Sequence, residues 1–268
     1  MAYQLIIIGG GRMGSALAEG LVAAAWCPLE QLCVVESVRE QRAVLGGRLH
    51  GVEIVASLEL EHVDERTGVV LCVKPDQAEG AARLAGAMGV TRLLSVVAGL
   101  STARLEAVFP GPVAVIRSMP NTPVLVRQGV SAIAGGAHVN SDDLDWAQSI
   151  LGAVGLVVRV TERNLDAVTG LSGSMPAYLY LVVESLIDAG VHQGLTREIS
   201  RQLVVGTFEG SAALLAETGE SPEELRAQVT SPGGTTAAGL RMLEGRAVRA
   251  AFLEAVAAAA ERSRQLGR

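Results

Sequence analysis

The chain has 268 residues, of which 49% are hydrophobic and 19% charged, and its formal net charge is −6. This length provides a core for one large domain or two smaller ones. The acidic balance, without any block of basic residues, argues against the positively charged surface that nucleic-acid binding needs.

Neither export nor membrane insertion is expected from the sequence. Cys27, Cys33 and Cys72 lack a CxxC spacing and a nearby histidine, so neither a disulfide framework nor a metal site is predicted. The first nine residues lack a charged leader and a cleavage site, and the apolar stretch 253–260 is too short to span a bilayer. We therefore expect a reducing, cytoplasmic compartment.

The first 160 or so residues alternate short β-branched runs with helical patterns, which is typical of a parallel sheet with crossover helices. The last two predicted strands give the sheet some antiparallel character. The predicted strands are 4–8, 32–36, 68–73, 92–97, 113–118, 130–134 and 156–160, and the predicted helices are 13–25, 76–87, 101–108 and 141–153.

No strand-like run follows residue 164, and helical periodicity takes over to the end of the chain. We therefore predict a nucleotide-binding Rossmann domain over 1–162 and an all-α domain over 163–268. The long helices carry apolar residues on more than one face, which a small domain cannot hide alone. This favours a homodimer at least, against a monomer whose helices fold back on the sheet. The predicted helices are 177–190, 197–216, 222–228, 236–243 and 248–265.

A glycine-rich turn follows the first predicted strand. Residues 9–14 read Gly-Gly-Gly-Arg-Met-Gly, a GxGxxG spacing between a β-branched run and an Ala-rich helix. In such a turn Gly9 permits the tight bend, Gly11 lets the backbone approach a pyrophosphate, and Gly14 allows close helix–strand packing. The helix start adds amide donors and a partial positive charge. We therefore predict that NADH or NADPH binds here.

The second predicted strand ends where the adenosine ribose of the cofactor should lie. Glu36 follows Gly14 by 22 residues, and a carboxylate there accepts hydrogen bonds from ribose hydroxyls and repels a 2′-phosphate. This favours NADH, although Ser37 and Arg39 could hold the phosphate. The alternative is that Glu36 points into solvent.

Later strand ends supply further candidates for the cofactor site. Lys74 is the only lysine of the chain, in Val73-Lys74-Pro75, and the alternative is a chance surface lysine. Small residues around Ala98 end the next strand, and a proline-stiffened loop brings Met119 and Asn121 toward the nicotinamide and its ribose. The predicted cofactor-binding residues are Gly9, Gly11, Arg12, Met13, Gly14, Glu36, Ser37, Val73, Lys74, Pro75, Ala98, Met119 and Asn121.

A second constellation lies in the helical half. Residues 229–236 read Val-Thr-Ser-Pro-Gly-Gly-Thr-Thr and open a predicted helix. Exposed amides at a helix N-terminus bind anions, and two glycines let a carboxylate approach the backbone. Thr235 and Thr236 can either cap the helix or donate their hydroxyls. The segment is therefore either a simple helix cap or a carboxylate site.

Taken together, these segments resemble the pyrroline-5-carboxylate reductase family, and the resemblance covers nearly the whole chain. The segment that ends in Gly239-Leu240-Arg241-Met242-Leu243-Glu244 is specific to that family. The other matching segments are the opening glycine motif with Met13, and residues 73–75, 117–123, 168–174 and 230–243.

The resemblance implies an N-terminal Rossmann domain, a helical dimerisation domain, and a site assembled from both subunits. It also implies that Ser231, Gly234, Thr235 and Thr236 hold the substrate carboxylate. Thr236 would in addition orient the ring nitrogen as the catalytic residue. The implied reaction is hydride transfer from NAD(P)H to a cyclic C=N bond, the last step of proline synthesis. A protonated iminium needs no strong acid, which fits the scattered histidines, all expected at the surface: His50, His62, His138 and His192.

Two positions depart from the family pattern. Met175 stands where the family usually has glycine, and Glu36-Ser37 replaces its usual ending of the second strand, which weakens an expectation of NADPH. Met175 leaves open an imine reductase for another cyclic imine carboxylate. A β-hydroxyacid dehydrogenase would need a lysine in the helical domain, which has none. A non-catalytic NAD(P)-sensing protein would keep the glycine turn without needing Thr235 and Thr236.

Overall fold

The computed structural model describes residues 2–57 and 63–267. The chain packs into two compact units, the first formed by Met1–Ser174 with Ala257–Arg268 and the second by Met175–Val256. His62 lies outside the described residues.

The first unit is built on one eight-stranded sheet in the described part of the chain. Its order is β3-β2-β1-β4-β5-β6-β7-β8, and every neighbouring pair is parallel except β6 and β7. The predicted mostly parallel sheet with antiparallel character near its end is therefore confirmed. The strands are β1 Leu5–Ile8, β2 Leu32–Val35, β3 Glu53–Val55, β4 Gly68–Leu71, β5 Arg92–Ser95, β6 Ala114–Met119, β7 Gly129–Gly135 and β8 Gly155–Arg159.

Helices cover both faces of this sheet and enclose two apolar cores. Because both faces are buried, the inner strands are continuous apolar runs, as in Leu5–Ile8 and Gly68–Leu71. The strand order reverses direction between β1 and β4, because β2 and β3 lie on one side of β1 and β4 lies on the other. In α/β folds, ligands bind in the crevice that opens at such a reversal. The helices of this unit are α1 Arg12–Ala23, α2 Arg39–Gly46, α3 Pro75–Ala87, α4 Thr102–Glu106, α5 Ser141–Gly152 and α6 Leu165–Val168.

The sequence interpretation missed α2, β3 and α6. Strand β3 has only three residues, none of them buried, so it lacks the apolar run that marks the other strands. Helix α2 buries only Leu45, and α6 is a single turn followed by a π-helical turn, Thr169–Gly173. Such short or polar elements are held by their neighbours and leave little periodicity to read.

The second unit is helical, as predicted for this part of the chain. Of residues 175–256, only Pro176, Ile187 and Ser200 are buried in the single protomer. Its helices are α7 Met175–His192, α8 Arg197–Thr218, α9 Pro222–Gln228, α10 Thr235–Gly245 and the first part of α11 Val248–Leu266. Among the described residues, no helix combines the length and the apolar character that a membrane crossing requires.

The border between the two units falls later than residue 162, where the sequence places the domain boundary. Leu165 is fully buried against Ala132 and Ala134 of β7, which joins residues 165–174 to the first unit. The end of α11 joins it too, where the Ser263 hydroxyl donates to Asp166 Oδ1 at 2.6 Å. The two units are defined by packing alone. The boundary at residue 162, which separates nucleotide binding from dimerisation and substrate binding, therefore stays a prediction.

Candidate active site

The glycine turn has the geometry that its sequence predicts. Gly9 adopts a φ of +104°, a conformation that side-chain-bearing residues rarely tolerate. A Cβ at Gly14 would lie 1.9 Å from the Gly9 carbonyl oxygen, so α1 can pack this closely on β1 only with glycine there. At Gly11, by contrast, a Cβ would meet nothing within 4 Å. Gly9 and Gly14 are thus required by the fold, whereas Gly11 leaves open space above the turn.

The N-terminus of α1 opens into that space. Gly11 is the N-cap residue of α1 and has no side chain that could cap the helix. The first hydrogen bond of the helix runs from Ser15 N–H to the Gly11 carbonyl. Arg12 is exposed at the first helical position, and Met13 packs partly against the core. The amide groups of the first turn therefore remain available to an anion.

Glu36 is turned toward the glycine turn, not into solvent. Its Oε2 accepts a hydrogen bond from Gly10 N–H at 2.9 Å, and its Oε1 accepts from Val38 N–H at 2.8 Å. Arg42 donates to the Glu36 and Ser37 carbonyl oxygens, each at 2.8 Å. The carboxylate is thereby fixed at the end of β2.

A cleft of about 470 Å³ lies beside the turn at the carboxyl ends of β1, β2 and β4. Six of the predicted cofactor-binding residues line it together: Gly9, Gly11, Glu36, Ser37, Val73 and Lys74. Lys74 is exposed at the rim, where it is the N-cap of α3, and Pro75 takes the first position of that helix. One acidic residue, Glu36, and one basic residue, Lys74, thus line the same cleft beside the glycine turn.

The sequence interpretation missed seven residues of this cleft. Three of them, Ile8, Val35 and Cys72, lie at or just after the ends of β1, β2 and β4, and the other four lie beyond these strands. Val38 and Gln41 come from the start of α2, Ala56 follows β3, and Gln77 lies in the first turn of α3. Of these four, only Gln77 could have been predicted from the sequence. It follows Lys74 by three residues and therefore lies on the same face of α3 as Lys74. The other three depend on α2 and β3, which the pattern did not reveal.

The remaining cofactor candidates lie elsewhere on the first unit. Ala98 is exposed in the loop after β5. Met119 ends β6 and packs partly against the small core of β7 and α6. Asn121 follows it and is only 7% exposed. Its Oδ1 accepts from Val130 N–H at 2.8 Å, and its Nδ2 donates to the Ser172 carbonyl at 3.4 Å and hydroxyl at 3.3 Å.

The second constellation forms a tight turn before α10. Gly233 has a φ of +73°, and the Gly234 N–H donates to the Ser231 carbonyl at 3.1 Å. A Cβ on Gly234 would lie 2.4 Å from Ser231 Oγ. Helix α10 begins at Thr235 with Gly234 as its N-cap, so neither threonine caps the helix. Both hydroxyls and the first amide groups of the helix are left for a ligand, since Thr235 is exposed and Thr236 half-buried.

Three other predictions concern Met175, the histidines and the cysteines. Met175 is the first residue of α7 and is 38% exposed. His50, His138 and His192 are exposed, as predicted. All three cysteines are free, and burial raises the pKa of the Cys72 thiol beside the glycine turn, which keeps that thiol protonated.

Two parts of the chain match known families. Residues 162–266 match the family described as pyrroline-5-carboxylate reductase dimerisation. Residues 4–99 match the family described as NADP oxidoreductase coenzyme F420-dependent. The second match covers the glycine turn and the strands that line the cleft.

Relatives match over nearly the full length. The chain is 41% identical to a pyrroline-5-carboxylate reductase from Corynebacterium melassecola, with 98% of each chain covered. It is similar to the structure of a pyrroline-5-carboxylate reductase from Coxiella burnetii, with a TM-score of 0.91, 31% identity and full coverage of both chains. It is also similar to a Plasmodium falciparum pyrroline carboxylate reductase with NADP bound, with a TM-score of 0.84, 33% identity and 98% of each chain covered.

Proposed function

Because the chain belongs to the pyrroline-5-carboxylate reductase family, we propose that it reduces the C=N bond of 1-pyrroline-5-carboxylate to L-proline with NAD(P)H. This is the last step of proline biosynthesis. The observation that carries the proposal is the pairing, in one chain, of a nucleotide cleft at Gly9–Gly14 with a free helix N-terminus at Thr235. We assign nucleotide binding to residues 1–162, and substrate binding and dimerisation to 163–268, in a cytoplasmic enzyme.

The first unit fits a dinucleotide. The open space above Gly11 admits a pyrophosphate, whose charge the amide groups at the start of α1 stabilise. Glu36 and Ser37 face the position of the adenosine ribose, and Val73 and Lys74 border the next stretch of the cofactor. The bound cofactor supplies a hydride. The chain's own contribution is to hold the nucleotide at fixed donors.

The turn before α10 fits the substrate carboxylate. Gly233 in the left-handed region and Gly234 without a side chain expose the amide groups of Thr235 and Thr236. A carboxylate at a helix N-terminus gains both these hydrogen bonds and the attraction of the helix dipole. We assign this contact to Ser231, Gly234, Thr235 and Thr236.

Thr236 carries the one catalytic role that we assign to a side chain. Its hydroxyl accepts a hydrogen bond from the protonated ring nitrogen and so orients the iminium carbon toward the hydride. Because an iminium is already a good electrophile, positioning provides most of the acceleration, and reacting atoms held ~3–3.5 Å apart can gain several kcal/mol. This explains how the reaction proceeds without a histidine or a second-domain lysine.

Steady-state oxidation of NADH and NADPH with pyrroline-5-carboxylate tests the proposal. We expect turnover by the wild type. We expect kcat/KM for Thr236→Ala to fall about tenfold to a hundredfold, since a hydrogen bond to a charged group contributes ~1.5–3 kcal/mol. Thr218→Ala is the matched control, because that hydroxyl bonds only to backbone groups at the end of α8: it donates to the Leu214 carbonyl and accepts from Glu220 N–H. No turnover by the wild type with either cofactor would overturn the function, and equal activity of Thr236→Ala would remove that residue from the mechanism.

Glu36 favours NADH over NADPH. Its carboxylate, fixed by the Gly10 and Val38 amides, would lie against a 2′-phosphate but accepts hydrogen bonds from a 2′-hydroxyl. We expect Glu36→Ser to lower the ratio of kcat/KM for NADH to that for NADPH by tenfold or more. Glu40→Ser, on the exposed side of α2, is the control. An unchanged ratio in Glu36→Ser would refute this role.

A further inference from the structure

We infer that Asn121 is a positioning residue, which fastens the π-helical turn Thr169–Gly173 to the end of β6 and thereby fixes Met119 for the cofactor's nicotinamide. This inference rests on the proposed function. The sequence predicts that Asn121 contacts the cofactor directly, whereas in this inference Asn121 acts on the cofactor only through Met119.

The first step is that the protein itself engages the Asn121 amide. The residue is 7% exposed, its Oδ1 accepts from Val130 N–H, and its Nδ2 reaches both oxygens of Ser172. One side chain therefore joins three segments, namely the end of β6, the start of β7 and the turn before α7. A buried amide with these partners is costly to turn toward a ligand, because its donors and acceptor would each lose a bond.

The second step is the turn itself. The Ser174 N–H donates to the carbonyl of Thr169, five residues earlier, at 2.9 Å, which is the hydrogen bond of a π-helix. The Thr169 hydroxyl donates to the Leu165 carbonyl at 2.8 Å. Gly170 is buried within the turn. Single π-turns are rare in helical segments and occur often at functional sites, since they need outside support. The Nδ2 bonds from Asn121 to Ser172 provide such support from the sheet.

The third step connects the turn to Met119. A Cβ on Gly173 would lie 2.6 Å from Met119 Cε, so the turn packs directly on that side chain. Met119 is the residue for which the sequence predicts contact with the nicotinamide. The position of the Met119 thioether therefore depends on the position of the turn. Asn121, two residues after Met119, fixes the position of the turn.

Two substitutions perturb this arrangement from opposite sides. Asn121→Asp replaces the Nδ2 donor with a carboxylate oxygen. That oxygen repels the Ser172 carbonyl and can only accept from the Ser172 hydroxyl, so the bond that fastens the backbone of the turn is lost. Gly173→Ala keeps the Asn121 bonds but displaces Met119. Ser172→Ala is the mild control, since it removes only one of the two acceptors.

The experiment compares kcat, the KM values and the dissociation constant of ADP-ribose, which lacks the nicotinamide, in the full-length enzyme. We expect both Asn121→Asp and Gly173→Ala to lower kcat at least tenfold, with the ADP-ribose dissociation constant within twofold of wild type. Ser172→Ala should lower kcat less than threefold. A role in stability alone would reduce Tm and leave kcat of the folded enzyme unchanged, which would overturn the inference.

A direct contact with the cofactor would give a different result. Asn121→Asp would then raise the KM for NADH, whereas Gly173→Ala would behave as wild type, and the inference would fail. Hydrogen exchange of the amides of Thr169–Ser174 gives a readout without turnover, and we expect Asn121→Asp to accelerate it. If the wild type has no reductase activity but this acceleration is seen, the proposed function fails and the fastening stands. If exchange is unchanged, the fastening fails.

Discussion

At the scale of single residues, the glycines of the opening turn divide into two kinds. Gly9 and Gly14 are required by the fold, because a side chain at either would press on backbone atoms 2.6 Å and 1.9 Å away. Gly11 has room for a side chain and an ordinary backbone conformation, with φ at −67°. Packing therefore does not require glycine at this position, and we propose that the missing side chain makes room for the ligand.

This difference predicts opposite effects of two alanine substitutions. Gly14→Ala should lower the free energy of unfolding by about 1–3 kcal/mol, the usual cost of overpacking, or prevent folding. Gly11→Ala should unfold like the wild type in urea but bind ADP-ribose at least tenfold more weakly. A loss of stability in Gly11→Ala without a loss of binding would contradict this assignment.

The cysteines provide a second test at this scale. Burial, with a smaller contribution from the nearby Glu53 carboxylate, raises the pKa of the Cys33 thiol to about 12, and burial also raises that of Cys27. A raised thiol pKa means that the folded state holds its proton while the unfolded state loses it near pH 8.5. The stability contributed by Cys33 should therefore decline as pH rises from about 8.5 toward 12.

Thiol labelling tests this assignment, because a buried and protonated thiol reacts slowly. We expect Cys33 and Cys72 to resist a disulfide reagent at pH 8 in the native protein and to react fully in urea. Labelling of Cys72 in the native state would contradict its assignment as a protonated, structural thiol beside the cleft.

At the scale of elements, Glu162 joins the segment after β8 to the start of α4 and to strand β6. Its carboxylate accepts from the Thr102 amide and hydroxyl, both at 2.7 Å, and lies 3.4 Å from Arg117 Nη1. Arg117 is only 12% exposed, so removal of its partner leaves a poorly solvated charge. The start of α4 and the strand β6 are held together in this way.

Substitution of Glu162 should therefore be more harmful than substitution of an exposed ion-pair partner. We expect Glu162→Ala to lower the free energy of unfolding by about 1.5–3 kcal/mol, the range for hydrogen bonds to charged groups. Asp188→Ala, which breaks an exposed pair with Arg197 in the second unit, should change it by less than about 1 kcal/mol. Urea unfolding of both variants measures the difference, and equal losses would show that the Glu162 cluster has no special role.

At the scale of the whole molecule, the second unit lacks a core of its own. Residues 175–256 bury only three side chains, while large apolar residues such as Leu181 and Leu203 are 64% and 56% exposed. An apolar surface of this kind normally lies in an interface between subunits. We expect the protein to be a homodimer at least, with the helices of the second unit in contact across it.

A charged side chain on this surface should therefore dissociate the oligomer. We expect Leu203→Glu to shift the sedimentation coefficient to that of a smaller species and to abolish turnover, since the family resemblance implies a site assembled from both subunits. Leu84→Glu, on the exposed surface of α3 in the first unit, is the control and should sediment as the wild type. An unchanged sedimentation coefficient in Leu203→Glu would place the interface elsewhere.

The sequence alone determined the long elements and the positions of the two glycine-containing turns to which we assign ligand binding. Buried parallel strands are continuous apolar runs, and GxGxxG and the residues before Thr235 put glycine where the backbone needs it, so both are visible without coordinates. It could not reveal α2, β3 or the turn at Thr169–Gly173, since partners distant in the chain hold these elements. Tertiary structure alone decided that Glu36 faces the Gly10 amide and that the protein engages the Asn121 amide. Each of these depends on which atoms meet across the fold, and a linear pattern does not contain those distances.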